Sequence, residues 1–443
     1  NIGVGGRLME RFALSRMKEW KENENRKPLI IRGARQVGKT WIMKTFGQQY
    51  FEKTAYVNFD NNARMKQVFE GDLDIERLVL SISAETGVSI EAENTLIIFD
   101  EVQEVPKALT SLKYFYENAP QYAIVAAGSL LGVALHQGTS FPVGKVDFLD
   151  LYPLNFREFL CAMGEKQFVS MLDSCDTQMV TVFKTKYIER LREYYFVGGM
   201  PEVVKDFSEK KDYNRVRAIQ KNLINYYQQD FSKHAEIKLV PRLNLVWNSI
   251  PMQLAKENKK YIYGQVREGS RAKDFELAIQ WLLDCGLIHK VQRIQKPDLP
   301  LKAYIDFDSF KLFLVDIGLL IAMTDLDAKV IIEGNKIFTE FKGALTEQYI
   351  LQQLISDVGV IPYYYSTQNS KGEIDFLVQG KTSVIPIEVK AEENLKAKSL
   401  KAFCEKYQPS YAVRTSMSDY REQDWMTNIP LYAIKWIENY VNQ

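Results

Sequence analysis

After its first apolar run the chain reads Gly33-Ala34-Arg35-Gln36-Val37-Gly38-Lys39-Thr40, which fits the pattern G-x-x-x-x-G-K-[ST]. Residues 28–31 are apolar and predict a short buried strand, and a helical pattern begins at Thr40. Backbone N–H groups of such a loop, together with the helix N-terminus, bind phosphate oxygens. The stretch therefore predicts a nucleotide-binding loop (the P-loop, residues 33–40), and we expect Trp41 to share in the contact.

A pair of acidic residues follows another apolar strand. Leu96–Phe99 is short and apolar, and Asp100 and Glu101 come directly after it. Ligands of open α/β sheets bind at the carboxyl ends of the strands, so this pair should lie beside the P-loop. We expect Lys39 to reach the β- and γ-phosphates of ATP. Thr40 and Asp100 should hold Mg²⁺, and Glu101 should polarise the attacking water.

The first 160 residues alternate short apolar strands with helical stretches. Further strands are predicted at 55–59 and 122–127, with helices between them. This alternation predicts an α/β domain with a mainly parallel sheet. Ser129 follows the strand at 122–127, where it could sense the γ-phosphate or lie in a plain turn. Lys145 and Arg157 could each lie near the phosphates or be merely solvated.

The rest of the chain changes character twice. Residues 161–239 predict successive helices, a helical lid, broken at Gly198-Gly199-Met200-Pro201 by a turn. Residues 240–330 predict helices followed by a strand, which suggests a winged-helix-like linker. Residues 331–443 predict a separate α/β domain. The expected organisation is therefore a core at 1–160, the lid, the linker and a C-terminal domain.

Composition excludes several classes of protein. A net charge of +1 over 443 residues gives no global attraction to nucleic acid. The four cysteines are far apart and only three histidines occur, which argues against a disulfide framework or histidine-based metal chemistry. Arg7, Glu10 and Arg11 stand where a signal peptide would be apolar, and the apolar runs are too short or too polar to span a bilayer. We therefore expect a cytoplasmic protein without membrane contact.

Several strings resemble a bacterial AAA-type ATPase family whose members commonly carry a C-terminal domain of unknown function. The strings lie in the expected order over nearly the whole chain: RGARQVGKTW, YVNFD, LIIFDEVQ, AAGSLL, LYPLNFREFL, YFVGGMPEVV, YYQQDF and VDIGLL. The resemblance implies an AAA-like core with Ser129 at the first sensor position. The chain departs from the family at Gly144-Lys145, where the family has Gly-Arg, and a lysine cannot supply a bidentate fork to phosphate.

A second set of polar residues lies on two predicted strands near the C-terminus. Asp375 lies in Ile374–Val378, and Glu388 and Lys390 lie in and just after Val384–Val389. Side chains alternate along a strand, so Glu388 and Lys390 share a face. A hairpin that turns between Lys381 and Thr382 makes Asp375 and Glu388 direct cross-strand neighbours. Two facing carboxylates repel, so a metal ion or Lys390 is needed beside them.

This layout resembles the D…E-x-K core of the restriction-endonuclease-like superfamily. The resemblance implies that Asp375 and Glu388 bind Mg²⁺, with Glu347 completing the shell, and that Lys390 positions or activates water. The alternative is a solvated face of a half-buried sheet. The expected function is then an ATPase that couples nucleotide state to a nuclease-like domain directed at DNA. The competing hypothesis is a nucleotide switch whose last domain only binds DNA or protein, and a homo-oligomer fits either.

Overall fold

The chain is described by a computed structural model that covers residues 9–128, 132, 141–256, 259–332, 339–367, 372–392 and 397–443. The described residues form two compact units. The first unit consists of Arg11–Tyr152 with Asp284–Leu287, and the second is formed mainly by Pro153–Leu283 and Ile288–Gln443. Within the described ranges, no helix is long and apolar enough to cross a membrane.

The first unit is a five-stranded sheet flanked by helices. Its strands are β1 (Leu29–Arg32), β2 (Lys53–Asn58), β3 (Thr95–Asp100), β4 (Ala123–Ala127) and β5 (Asp147–Asp150). Its helices are α1 (Ala13–Glu22), α2 (Lys39–Tyr50), α3 (Ala63–Glu70), α4 (Ile75–Thr86) and α5 (Pro106–Asn118). The strand order is β2-β3-β4-β1-β5 and the strand pairs are all parallel. The predicted α/β class with a parallel sheet is confirmed.

The order of the strands brings the predicted nucleotide-site residues to one edge. β3 and β4 are buried at every position and mainly apolar, as expected for central parallel strands covered on both faces. β4 lies between β1, which leads into the P-loop, and β3, which ends at Asp100. Because the strands are parallel, both carboxyl ends open at the same edge of the sheet.

The second unit begins with helices. These are α6 (Phe156–Ala162), α7 (Lys166–Asp173), α8 (Thr177–Val182), α9 (Lys184–Val197), α10 (Pro201–Lys210), α11 (Tyr213–His234), α12 (Val240–Leu254), α13 (Tyr263–Val266) and α14 (Ala272–Asp284). After a strand hairpin come α15 (Ile317–Met323), α16 (Ala328–Ile332), α17 (Thr339–Gln353), α18 (Lys398–Tyr407) and α19 (Glu438–Val441). Successive helices were predicted for 161–239, and the structure has them there.

One eight-stranded mixed sheet runs through the rest of the second unit. Its strands are β6 (Ile288–Ile294), β7 (Ile305–Leu314), β8 (Tyr363–Ser366), β9 (Glu373–Gln379), β10 (Val384–Val389), β11 (Val413–Ser416), β12 (Arg421–Gln423) and β13 (Met426–Pro430). Their order is β12-β13-β11-β10-β9-β8-β6-β7. The β6–β7 hairpin joins this sheet through β8. Strands on both sides of residue 330 therefore belong to one sheet.

The β9–β10 hairpin has the register that the sequence predicted. Val378 pairs with Ile385 and Phe376 pairs with Ile387. The other neighbour of β9 shows an irregularity, because its register with β8 shifts by one residue within β9. A shift of this kind is a β-bulge, which redirects the side chains that follow it.

A buried aspartate joins two segments of the second unit that are far apart in sequence. Asp316 accepts hydrogen bonds from the Gly199 N–H at 2.6 Å and from the Leu319 N–H at 3.1 Å, at the start of α15. Gly198 has φ of 73°, and a Cβ there would lie 2.2 Å from the Asp316 Oδ1 atom. The turn in YFVGGMP and the aspartate in VDIGLL thus form one packed joint.

Replacing Asp316 by alanine should destabilise the second unit strongly. Two buried N–H groups would lose their acceptor, which costs about 2–4 kcal/mol in the free energy of unfolding. Asp176→Ala is the matched control, since Asp176 caps α8 at the exposed Met179 N–H and should cost about 1 kcal/mol. Urea unfolding of both variants measures the difference, and equal losses would contradict the joint.

Candidate functional site

The P-loop has a backbone that only certain residues allow. Gly33 has φ of 147° and Gly38, at the start of α2, has φ of 96°, while the exposed Gln36 has φ of 66°. A Cβ at Gly33 would lie 2.1 Å from the Leu151 carbonyl oxygen. Glycine is therefore required at Gly33 both by backbone angle and by the close approach of Leu151.

Lys39 is buried at the centre of this loop. Its Nζ atom donates to the carbonyl oxygens of Gly33 at 2.9 Å and Ala34 at 2.8 Å. Burial lowers the pKa of Lys39 to about 8, against the opposing charges of Glu101 and Asp100. The ammonium group is held by neutral carbonyls, so a phosphate brought to the loop would offer it a stronger, charged acceptor.

Asp100 is the point on which the site converges. Its Oδ2 atom accepts hydrogen bonds from the Thr40 hydroxyl at 2.7 Å and from the Tyr56 hydroxyl at 2.9 Å. Its Oδ1 atom accepts the Glu101 N–H at 3.1 Å. A hydroxyl that donates its hydrogen to Asp100 keeps its oxygen lone pairs for another partner. The structure thus brings together Thr40 and Asp100, the two predicted Mg²⁺ ligands of this site.

Glu101 is held in an uncommon conformation beside Asp100. Its φ is 51°, and its Oε2 atom accepts a hydrogen bond from the Gln103 side chain at 2.7 Å. A left-handed backbone at a residue other than glycine costs free energy and is often found at functional sites. The conformation suits the role that the sequence assigned to Glu101, which is to face the site rather than continue the strand.

Two contacts of this site were not predicted from the sequence. Tyr56 stood in the string YVNFD without a role, although it donates to Asp100. Arg11 fastens the loop by donating to the Val37 carbonyl at 3.0 Å and to the Tyr152 carbonyl at 2.6 Å. Neither contact leaves a spacing signal in the sequence, because each acts across the sheet or between segments distant in sequence.

The other predicted residues of this site have varied surroundings. Ser129 lies outside the described residues. Val37 and Ala34 are buried, whereas Arg35 and Trp41 are partly exposed. Lys145 pairs with Glu117 at 3.0 Å. Its proposed place near the phosphates therefore has no support from its contacts.

Arg157 needs a correction. It belongs to the second unit, where its guanidinium group pairs with Asp357 at 2.8 Å and with Asp173. The side chain is largely buried between these two carboxylates. Arg157 is therefore neither solvated nor directed at a phosphate. It forms structural ion pairs with these two carboxylates.

The second group of predicted residues surrounds buried lysines rather than a metal. Lys311 on β7 is fully buried and pairs with Glu373, and its Nζ atom lies 3.6 Å from Glu347 Oε2. Lys259 also pairs with Glu347. Asp375 completes this lysine–carboxylate cluster, and its Oδ2 atom accepts the N–H of Val389 at 2.7 Å. Two cations thus face three carboxyl groups.

Glu388 and Lys390 lie in different surroundings. The Glu388 carboxylate pairs with the Lys390 ammonium at 2.8 Å, and Glu388 is the strand partner of Arg414 on β11. Burial, and then the charge of Glu388, raise the pKa of the Cys404 thiol to about 11. Because Cys404 is on α18, Glu388 points to the face of the sheet that this helix covers.

The bulge in β9 explains why the two groups are separate. Ile374 and Leu377 both pack in the apolar cluster with Leu400 of α18, although they are three residues apart. Asp375 follows Ile374 directly and points to the opposite face, toward Glu347 and Lys311. The predicted register is confirmed, but the prediction that Asp375 and Glu388 face each other is wrong. Regular alternation was assumed where the strand has an extra residue.

The predicted C-terminal metal shell therefore does not form from these residues. Glu347 is paired with Lys259 and Lys311, Asp375 belongs to the same cluster, and Glu388 and Lys390 lie on the other face. Within the described ranges, no set of three or more histidine, cysteine, aspartate or glutamate side chains is arranged to hold a metal ion. The cation that two neighbouring carboxyl groups require is supplied by the chain itself.

The lysine–carboxylate cluster balances its charge with a proton. Burial, and then the charge of Glu347, raise the pKa of Asp375 to about 8. Burial opposes ionisation of Glu347 too, but the charges of Lys259 and Lys311 outweigh it and lower its pKa. At neutral pH the raised pKa favours the protonated, neutral form of Asp375 within the cluster.

Three segments of the chain match known families. Residues 25–160 match the AAA domain family. Residues 188–330 and 342–434 match families described only as domains of unknown function, DUF8612 and DUF4143. The first part of the chain is thus an AAA-type P-loop ATPase domain, and the predicted resemblance is confirmed for that part. The matches in the other two segments name no restriction-endonuclease-like fold.

Three solved structures that this chain resembles are distant from it in sequence. A Walker-type ATPase of Pyrococcus abyssi is 15% identical, with 73% of this chain and 99% of that chain covered and a TM-score of 0.45. The ORC2 protein of Aeropyrum pernix in its ADP form is 13% identical, with coverages of 79% and 97% and a TM-score of 0.31. The ORC1 protein of Aeropyrum pernix in complex with DNA is 14% identical, with coverages of 72% and 93% and a TM-score of 0.27. No curated protein matches this chain.

Replacing Asp375 by asparagine should remove a pH dependence of stability. Between pH 5 and 8 the native wild type keeps the Asp375 proton, whereas the unfolded chain releases it. The free energy of unfolding of the wild type should therefore fall, relative to Asp375→Asn, by up to about 1.4 kcal/mol per pH unit. Asparagine still accepts the Val389 N–H but has no proton to lose. Urea unfolding at pH 5, 7 and 8.5 measures the difference.

Asp206→Asn is the control for this measurement. Hydrogen bonding to Arg215 lowers the pKa of Asp206 to about 2, so its contribution is fully present above pH 5. Its difference from wild type should stay constant over the same range. A constant difference for Asp375→Asn as well would show that Asp375 is ionised in the native protein at neutral pH.

Proposed function

We propose that the first unit is a Mg²⁺-dependent ATPase whose site is the P-loop together with Asp100 and Glu101. The observation that carries this proposal is the hydrogen bond from Thr40 to Asp100, formed beside a buried Lys39. A hydroxyl and a carboxylate that converge on one point are oxygen ligands of the kind that Mg²⁺ prefers. The AAA domain match of residues 25–160 supports the same conclusion.

Each residue has a role that follows from its position. The P-loop amides, from Gly33 to Thr40, and the start of α2 bind phosphate oxygens. Lys39 leaves the carbonyls of its own loop and pairs with the β- and γ-phosphates. Thr40 and Asp100 would hold Mg²⁺, which when bound neutralises phosphate charge. Glu101, outside this metal pair, orients and deprotonates the attacking water.

Glu101→Gln should keep ATP binding and lose hydrolysis. Glutamine is isosteric but a poor base, so turnover should fall about a hundredfold or more, while the ATP dissociation constant stays within about twofold. Lys39→Ala is the contrast, since it removes a phosphate contact and should weaken binding at least about tenfold. Calorimetry and phosphate release measure the two effects. Unchanged affinity in Lys39→Ala would overturn the site, and unchanged turnover in Glu101→Gln would assign the base elsewhere.

The C-terminal domain is proposed to bind a partner without cutting nucleic acid. The sequence suggested a nuclease-like domain coupled to ATP. Lysines neutralise Glu347, a proton neutralises Asp375, and Glu388 lies on the other face of the sheet, which favours the alternative of a DNA- or protein-binding module. A two-carboxylate metal site needs both carboxylates on one face and a cation position between them.

The wild type should not cleave plasmid or single-stranded DNA in Mg²⁺ or Mn²⁺, with or without ATP. Glu388→Ala is the matched variant, because it removes the acidic residue of the E-x-K pattern. Gel electrophoresis of the same reactions also shows whether the protein binds DNA, because bound DNA migrates more slowly than free DNA. Metal-dependent cutting by the wild type that is absent in Glu388→Ala would restore the nuclease hypothesis.

The domain division predicted from the sequence is part of this proposal. A core at 1–160 would be followed by a lid at 161–239, a linker at 240–330 and the C-terminal domain at 331–443. Strands from both sides of residue 330 belong to one sheet. This supports the proposal that the linker and the C-terminal domain move together. Lys145 and Arg157 are engaged in ion pairs, which favours a neighbouring copy as the source of an arginine for the phosphates. The proposed setting is the cytoplasm.

A further inference from the structure

Tyr56 touches the proposed nucleotide site from a strand that carries neither the P-loop nor the acidic pair. It lies on β2, next to β3, and its hydroxyl donates to Asp100 Oδ2 at 2.9 Å. The Thr40 hydroxyl donates to the same oxygen atom at 2.7 Å. Tyr56 is therefore the second of two hydroxyl donors that meet on one carboxylate oxygen.

These donors leave little freedom to the Asp100 side chain. A carboxylate oxygen has two lone pairs, and on Oδ2 both are taken by the hydroxyls of Thr40 and Tyr56. One lone pair of Oδ1 is taken by the Glu101 N–H. The remaining lone pair of Oδ1 would be available to the metal shell. The hydroxyls of Thr40 and Tyr56 and the N–H of Glu101 thus fix the plane of the carboxylate.

The tyrosine ring is itself held in place. The Lys44 ammonium lies 3.7 Å from the centre of the Tyr56 ring, a cation–π distance. Lys44 is one helical turn after Thr40 on α2, so the same helix supplies a metal ligand and the support of Tyr56.

We propose that Tyr56 is a positioning residue for the Mg²⁺ site, which fixes the Asp100 carboxylate so that its free lone pair faces the metal shell. The inference rests on the proposed ATPase function. Tyr56 would not touch the phosphates or the reacting water. Its loss should therefore change the dependence on metal and leave metal-free nucleotide binding unaltered.

The test is Tyr56→Phe, which removes only the hydroxyl. The Mg²⁺ concentration for half-maximal ATP turnover should rise about tenfold, as expected for one lost hydrogen bond to a charged acceptor. The dissociation constant of ATP in EDTA should stay within about twofold, and high Mg²⁺ should restore most of the turnover. Tyr122→Phe is the control, because Tyr122 packs against the core of the same unit away from Asp100.

Lys44→Met provides a second, independent variant. It removes the cation over the ring but keeps the tyrosine hydroxyl, so the Mg²⁺ requirement should rise about twofold to threefold. If Tyr56→Phe has the Mg²⁺ requirement of the wild type, or weakens ATP binding in EDTA as much as in Mg²⁺, the positioning role is overturned.

The wild type separates this inference from the proposed function. A wild type without Mg²⁺-dependent ATP binding would overturn the proposed function, and the role of Tyr56 would fall with it. A wild type that binds and hydrolyses Mg·ATP, beside a Tyr56→Phe variant with unchanged metal dependence, would overturn the inference alone. Thermal unfolding of each variant confirms that the compared proteins are folded.

Discussion

The contact on which the first unit depends is the hydrogen bond between the Thr40 hydroxyl and the Asp100 carboxylate. It joins the start of α2 to the end of β3 across the intervening β4, and the parallel sheet brings these two ends to one edge. The contact also sets the chemistry, because a hydroxyl that donates to a carboxylate turns its lone pairs toward a cation. The arrangement of strands that defines the fold therefore also forms the site.

In the second unit, buried carboxyl groups are neutralised by the chain itself. The sequence predicted carboxylates that bind a metal ion. In the structure, Lys311 and Lys259 lie close to the Glu347 carboxylate instead. Buried carboxyl groups without a counter-charge would be strongly destabilising, so either a metal, a lysine or a proton must neutralise them. This chain uses two lysines and the proton of Asp375. Lys311 comes from β7 and Lys259 from the segment after α12, so the cluster links the middle of the chain to the C-terminal strands.

Motifs that mark the family resemblance serve different ends. The P-loop string and the string that contains Asp100 and Glu101 make the nucleotide site, whereas the strings around Gly198 and Asp316 make a joint in which the Asp316 carboxylate is buried. A glycine beside Asp316 is needed because a Cβ would clash with its carboxylate. A string shared with a family therefore indicates a local structure that tolerates few residue types. Only the contacts around the string show whether that restriction comes from chemistry or from packing.

The sequence by itself determined the parallel α/β core, the P-loop, the acidic pair at Asp100 and the register of the β9–β10 hairpin. These follow from local periodicity, glycine positions and turn placement, which act over a few residues. The direction of Asp375, the lysines around Glu347 and the hydrogen bond from Tyr56 were decided only by the tertiary structure. A one-residue bulge reverses a side chain without leaving a pattern in the sequence. A counter-charge can come from any segment that folding brings close, because electrostatic neutralisation depends on distance in space and not along the chain.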